Sequence, residues 1–310
     1  MKCIITGGSG FIGAHVVKAL RKAGHEVLVV DGKGSDAKNI DICATKQLSV
    51  LFGEYRPDVV FHLAAVADAR KALASPVEAT MINVAGTASV LEAARQTGAK
   101  RVIVASTVWV CGAMKNGLVD ETEPFLPSGA GHIYTTTKIA SELLAHDFCR
   151  LYNLPFTILR YGIPYGPGMW EGLVLRSFLD NALSGKPLVI FGDGSASRRF
   201  VYVEDLAGAH ILALQQVAEN QTYNLEGMRS VTIKELAELV SRLLGGVPIE
   251  YRPEPTRIGE FQYFRRLISN SKGYIELGWE PVMDLEEGVR RTIEWYKAEV
   301  AALQASKSAV

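Results

Sequence analysis

The sequence predicts an α/β fold: a doubly wound parallel sheet over its first half, followed by a smaller mixed α/β lobe. Three observations predict it. Short apolar runs ended by turn residues recur at 2–6, 26–31, 58–65, 100–106 and 155–162. Between them lie segments with apolar residues at helical spacing, near 11–24, 44–55, 77–97 and 136–152. The strands are apolar throughout rather than alternating, so both sheet faces are covered, as in parallel sheets built through helical crossovers.

The elements follow in order. KCIIT is a buried strand ended by glycine, and the segment from Phe11 is a helix closed by Gly24. EVLVVD is the second strand and ends at Asp31. DVVFHLAA, KRVIVAS and PFTILRYG repeat the design. Beyond about residue 165 the character changes, with Gly and Pro clustered in YGIPYGPGMWEG and IFGDGSASRR. Short strands near 188–190 and 222–224 alternate there with helices near 173–184, 204–216, 232–244 and 285–304. The expected division is 1–165 and 166–310, with 205–225 folding back onto the first part. The tail AALQASKSAV is expected to fray.

Composition narrows the function. Lys and Arg balance Asp and Glu, with no basic run, which argues against nucleic acid as a partner. No apolar stretch is long enough to cross a bilayer, and MKCIITGG does not read as a signal peptide. Cys3, Cys43, Cys111 and Cys149 have neither metal spacing nor a disulfide pattern. They read as reduced thiols of a cytoplasmic protein. The six histidines show no H-x-x-x-H pairing, and no metal is expected.

TGGSGFIG, Thr6 to Gly13, joins the first strand to the first helix. Glycines at 7, 10 and 13 let backbone approach a pyrophosphate, and the helix N-terminus then faces that negative charge. Asp31 at the end of the second strand can accept hydrogen bonds from an adenosine ribose and would repel a 2′-phosphate. This favours NAD over NADP, although Lys33 nearby could accommodate the extra phosphate. In HIYTTTKIASELL, Tyr134 and Lys138 stand one helical turn apart and point the same way. By itself that pair is a weak signal.

The chain resembles the extended short-chain dehydrogenase/reductase family, in particular its nucleotide-sugar epimerases and dehydratases. The resemblance rests on TGGSGFIG, Asp31, HLAA at 62–65, NVAGT at 83–87, VASTVWVCG at 104–112 and YTTTK at 134–138. It continues through LRYGIPYGPG at 159–168, RRFVYVEDLA at 198–207, RIGE at 257–260 and LGWEP at 277–281. It covers nearly the whole chain, with the motifs in family order.

The resemblance implies a Rossmann-type domain holding NAD and a smaller lobe holding a nucleoside-diphosphate sugar. Thr107, Tyr134 and Lys138 match the catalytic residues. A nearby ammonium and a positive nicotinamide favour the phenolate, so Tyr134 would be the general base. Lys138 would also hold the nicotinamide ribose, and Thr107 would bond the reacting sugar hydroxyl. Gly7, Gly10, Phe11, Ile12, Asp31, Asp41, Ile42, Leu63, Ala64, Ala65 and Tyr161 match cofactor contacts. Asn83 matches a helix residue that supports the site. Arg198 and Arg257 match arginines that grip the diphosphate, where a planar fork suits two phosphates. Phe191 is placed to stack on the nucleobase or to join the core.

Three departures qualify the match. Val108 and Trp109 follow Thr107 where 4,6-dehydratases of the family carry an Asp-Glu pair, so loss of water is disfavoured. Ile163 stands where the family often has an asparagine that touches the diphosphate, and Arg199 replaces an aspartate. The expected activity is 4-epimerisation of a nucleotide sugar. Alternatives are a dehydrogenase, ketoreductase or dehydratase on the same scaffold, and a non-catalytic NAD sensor. In this family, helices like 77–97 and 134–152 pair across a homodimer.

Overall fold

The computed structural model describes residues 1–308 except 33, 35, 112–116, 126–130 and 255–265. The chain divides into two compact units. The first comprises Met1–Gly162, Leu206–Glu226 and Gly259–Glu280; the second comprises Ile163–Asp205, Gly227–Ile258 and Pro281–Val310.

The first unit is built on a seven-stranded sheet. Strands β1 (Lys2–Thr6), β2 (Glu26–Asp31), β3 (Ala37–Asn39), β4 (Val59–His62) and β5 (Arg101–Thr107) are joined by the strands Phe156–Tyr161 and Gln221–Leu225. From one edge the order is Gln221–Leu225, Phe156–Tyr161, β5, β4, β1, β2, β3. Every pairing in it is parallel. The winding reverses between β1 and β4, whose last residues Thr6 and His62 lie in register. In such sheets the crevice for ligands opens beyond the carboxyl ends of the strands at that reversal.

Helices α1 (Phe11–Lys22), α2 (Thr45–Tyr55), α3 (Ala69–Ala74), α4 (Pro76–Thr80), α5 (Gly86–Thr97) and α6 (Ile133–Tyr152) belong to the same unit. Every residue of β4 and β5 is buried. Ile4, Val60, Val102 and Ile158 of the sheet pack with Leu48, Phe52 and Leu91 of the helices into one core. Burial of each such side chain is worth about 1.5–3 kcal/mol, which is what fixes the strand ends where the site is built.

Two elements differ from the sequence expectation. The helical stretch expected at 77–97 begins at Pro76, and its middle, Met81–Ala85, is a π-helical turn. The wider turn accommodates Asn83, whose side-chain amide exchanges two hydrogen bonds with the backbone of Val66, at 2.7 and 3.1 Å. The tail expected to fray is instead helical through Ser308. AALQA is rich in good helix formers and simply extends the preceding turns.

In the second unit, Ile163–Tyr165 pairs in parallel with Phe200–Tyr202, and Leu188–Phe191 with Ile249–Arg252. Ser197–Arg198 and Val231–Thr232 form a short antiparallel pair. Val174–Leu183, Ile233–Leu243 and Leu285–Ser308 are its main helices.

Candidate active site

The glycine loop closes on the end of β1. Gly7 has φ +75°, the left-handed region that glycine adopts without penalty. Its N–H donates to the Val30 carbonyl at 2.9 Å, and its carbonyl accepts from Gly10 at 3.1 Å. A Cβ on Gly7 would lie 2.6 Å from the Ala64 nitrogen, and one on Gly13 would overlap the Gly7 carbonyl. No side chain caps the start of α1 at Gly10, so that helix end is presented to whatever anion enters the loop. Phe11 is buried and Ile12 half-buried on its first turn.

Other predicted cofactor residues gather around this loop. Asp31 accepts the Ser9 N–H at 3.0 Å, which folds its carboxylate against the loop. Leu63 donates its N–H to the Thr6 carbonyl at 3.0 Å, and Leu63, Ala64 and Ala65 are half-buried beside Gly7. Asp41 is exposed and caps its own turn through the Cys43 N–H at 2.9 Å. Ile42 is buried against Gly86.

The catalytic candidates come from β5 and α6. Thr107 ends β5, is buried, and lies in register with Tyr161. The first turn of α6 carries Tyr134 because His132 caps that helix, its Nδ1 accepting the Thr135 N–H at 3.4 Å. The His132 ring packs edge-on against both Trp109 and Tyr134, with centroids 5.5 and 6.0 Å away. Lys138, one turn later, is buried and donates from Nζ to the Ala105 carbonyl at 2.9 Å. Burial lowers its pKa to about 8, against the opposing pull of the Glu142 carboxylate. Burial also pushes the Tyr134 phenol above its ordinary value. In the protein by itself desolvation therefore prevails over any help from Lys138, and the phenol holds its proton. A further positive charge beside the ring is what would release it.

Sequence reasoning named Asn83 as a supporting residue but did not find the rest of the polar wiring behind these residues. Thr87 gives its hydroxyl proton to the Asn83 carbonyl at 2.6 Å, so it accepts from His62 Nε2 at 2.8 Å. That assigns His62 Nδ1 as the acceptor for the Thr6 hydroxyl at 2.7 Å. The Asn83 amide donates to Thr137 Oγ1 at 2.9 Å, and Thr137 donates to the Tyr134 carbonyl at 2.7 Å. A buried line of hydrogen bonds thus runs from the residue before the glycine loop to the backbone of Tyr134. Tyr161 donates its hydroxyl to His210 Nε2 at 2.7 Å, because His210 Nδ1 gives its proton to the Leu206 carbonyl. The position of His62 directly before LAA was the available signal; nothing local marked His210.

Phe191 and Arg198 belong to the second unit. Phe191 ends its strand with its side chain exposed, and Arg198 Nη1 donates to the Ser197 carbonyl at 2.8 Å. Arg199 donates to the Met228 carbonyl at 3.0 Å, and Ile163 pairs with Phe200. Arg257 lies outside the described residues.

The residues around the glycine loop fit a dinucleotide. Two positions accept only glycine, the helix start is uncapped by side chains, and a carboxylate stands at the ribose end of the loop.

Comparison with known proteins agrees with this geometry. The sequence pattern of the NAD dependent epimerase/dehydratase family matches residues 3–225. A dTDP-glucose 4,6-dehydratase of Neisseria gonorrhoeae is 30% identical, with 94% of each chain aligned. The crystal structure of a Thermotoga maritima UDP-glucose 4-epimerase with UDP-glucose superposes with a TM-score of 0.87. It is 31% identical, with 97% of this chain and 100% of that one covered. A Thermus thermophilus UDP-glucose 4-epimerase in complex with NAD gives 0.80 at 30% identity, covering 96% and 99%. The chain belongs to the NAD dependent epimerase/dehydratase family.

Proposed function

We propose that this protein is a nucleotide-sugar 4-epimerase that works with NAD. The observation that carries the reading is the residue pair after Thr107. Val108 is buried, and Trp109 packs on His132. Neither side chain can donate or accept a proton in the way that loss of water from a sugar requires. The acid-base equipment supporting the reading is Tyr134 with Lys138 one turn away, and Thr107 at the end of β5. NAD, when bound, would take a hydride from the sugar C4 and return it.

The chain's own residues do the rest. Tyr134 removes the C4 hydroxyl proton and later gives it back. Lys138 supplies positive charge beside it, and Thr107 holds the same hydroxyl by a hydrogen bond. Asp31 would select an unphosphorylated ribose. Phe191, Arg198 and Arg257 are the residues of this chain proposed for the nucleotide and diphosphate. The four free thiols suit a reducing cytoplasm. Val77, Met81, Leu143 and Leu151 leave apolar side chains exposed on α4, the π-turn and α6, and we assign that face to a second copy of this chain. Sedimentation at micromolar concentration tests the dimer; a monomer there rejects it.

Incubation with UDP-, dTDP- and GDP-sugars, followed by product NMR, tests the activity. The expected result is a C4 epimer with no net absorbance in the reduced-nicotinamide band. A 4-keto-6-deoxy product, or stoichiometric reduction of the cofactor, overturns the reading.

A further inference from the structure

The last three residues of β5 each meet a different partner. The Ala105 carbonyl receives Lys138, and Thr107 stands at the reacting end. Ser106, between them, donates its hydroxyl to Glu142 of α6. Glu142 is fully buried and follows Lys138 by one helical turn. Arg160 of the neighbouring strand closes on the same carboxylate, through Nε at 3.0 Å and Nη2 at 2.7 Å. Arg160 is itself buried and contacts Cys111 Sγ at 3.6 Å.

We propose that Glu142 is a positioning residue for the Tyr134–Lys138 pair. Clamped by Ser106 and Arg160, it fixes α6 against β5 at the height of Lys138 and places a carboxylate one helical turn from that ammonium. The inference rests on Lys138 acting in the epimerase reading above.

Charge balance supports it. Lys138, one turn away on α6, and Arg160, on the strand Phe156–Tyr161, are two buried cations near the same carboxylate, and Glu121 also acts on Arg160. His62 of β4 is held neutral by burial, and burial likewise keeps Tyr134 and Tyr161 protonated. The helices α3 and α4, which also pack on α6, turn Arg70, Lys71 and Glu78 to the surface, and Glu92 of α5 is paired with Arg95. The carboxylate that acts on Lys138 is therefore that of Glu142. A salt bridge serving stability alone gains little in such a site, where apolar residues of similar volume often do as well.

The test compares wild type with E142Q, E142D and the double variant E142Q/R160M. The double variant leaves no unpaired arginine, so it is expected to fold even if E142Q does not. Two readouts are taken. The first is the titration of the Lys138 Nζ signal in protein labelled with 15N-lysine, identified by its absence in K138M. It needs neither cofactor nor turnover. In E142Q/R160M the midpoint is expected to move to lower pH: the variant removes an anion and a cation together, but the charge that acts on Lys138 is that of Glu142 and not that of Arg160; E142D is expected to keep it near wild type. The second is epimerisation, where kcat in the double variant should fall 10- to 100-fold with KM changed less than threefold.

An unchanged Lys138 midpoint in the folded double variant overturns the electrostatic role. A wild-type kcat there overturns the positioning role. If wild type turns over no nucleotide sugar, the epimerase reading fails, and the lysine titration still decides what Glu142 does.

Discussion

Lys138 donates to the main-chain carbonyl of Ala105 at 2.9 Å, two residues before Thr107 on the same strand. The lysine is thus tethered to the strand that ends in Thr107, and its charge is buried there. Burial lowers its pKa from 10.5 to about 8.

That shift predicts a stability cost for the function. Below about pH 8, carrying the charge in the fold costs roughly 3 kcal/mol relative to the unfolded chain. Between about 8 and 10.5 the unfolded chain binds more protons than the native one, so rising pH relieves the cost. Lys138→Met should therefore be inactive yet more stable than wild type at pH 7, with the gap narrowing toward pH 10.5. The gain stays below the full figure because Ala105 loses its donor. Urea unfolding at several pH values checks this; a variant less stable than wild type at pH 7 contradicts it.

Tyr134→Phe removes the proposed general base and leaves the helix intact. Turnover should fall ~10²–10⁴-fold, while NAD binding by calorimetry changes little. Because burial alone keeps the phenol protonated, the phenolate absorbance of wild type should be absent near neutral pH without cofactor and emerge on adding NAD. A phenolate band in the cofactor-free protein at pH 7 would show that Lys138 suffices, contrary to this reading.

Gly7→Ala places a methyl carbon 2.6 Å from the Ala64 nitrogen at φ +75°. Backbone on both sides must give way, and a positive φ adds of order 1 kcal/mol for a residue with a Cβ. We expect NAD affinity to fall at least tenfold and the melting temperature to drop by several degrees. Gly53, in whose case a Cβ would meet nothing within 4 Å, is the control: Gly53→Ala should leave NAD affinity unchanged and, lying in α2, should if anything raise the melting temperature, because alanine is favoured over glycine in a helix. Equal effects at both positions would remove the close-packing argument.

How far the sequence could be read depended on how local the signal was. Most strands of the large sheet announced themselves because they are runs of apolar residues; β3, Ala37–Asn39, is a short edge strand with two of its three residues exposed, and no apolar run marked it. The glycine loop was legible because its constraint is steric and falls on residues seven to thirteen alone. The two- and three-residue ladders, such as Ser197–Arg198 with Val231–Thr232, are too short to show any period. His132 was not legible as a helix cap, since caps are usually Ser, Thr, Asp or Asn. Glu142 was half visible: it continues the Tyr134–Lys138 spacing by one more turn. Its meaning depends on Arg160, which arrives from another strand, and spacing along the chain carries no such information. The same holds for Tyr161, a strand residue whose hydroxyl partner lies 49 residues away on the helix Val203–Leu212.

Two buried histidines make the fold acid-sensitive. Burial lowers His62 to about 3 and His210 to about 4, while both titrate near 6.5 when unfolded. Below 6.5 the unfolded chain takes up protons that the native one refuses, so stability falls as pH drops, until each native pKa is reached. From pH 6.5 to 5, each histidine removes roughly 2 kcal/mol. His210→Gln can accept from Tyr161 and donate to Leu206 without titrating. It should flatten the pH dependence by about that amount, whatever its effect at pH 7, because the slope reads protons and not contacts. Chemical denaturation of both proteins at pH 5, 6 and 7 measures it. Parallel stability curves for wild type and His210→Gln would mean that His210 titrates normally in the fold, and that the Tyr161–His210–Leu206 arrangement does not hold it neutral.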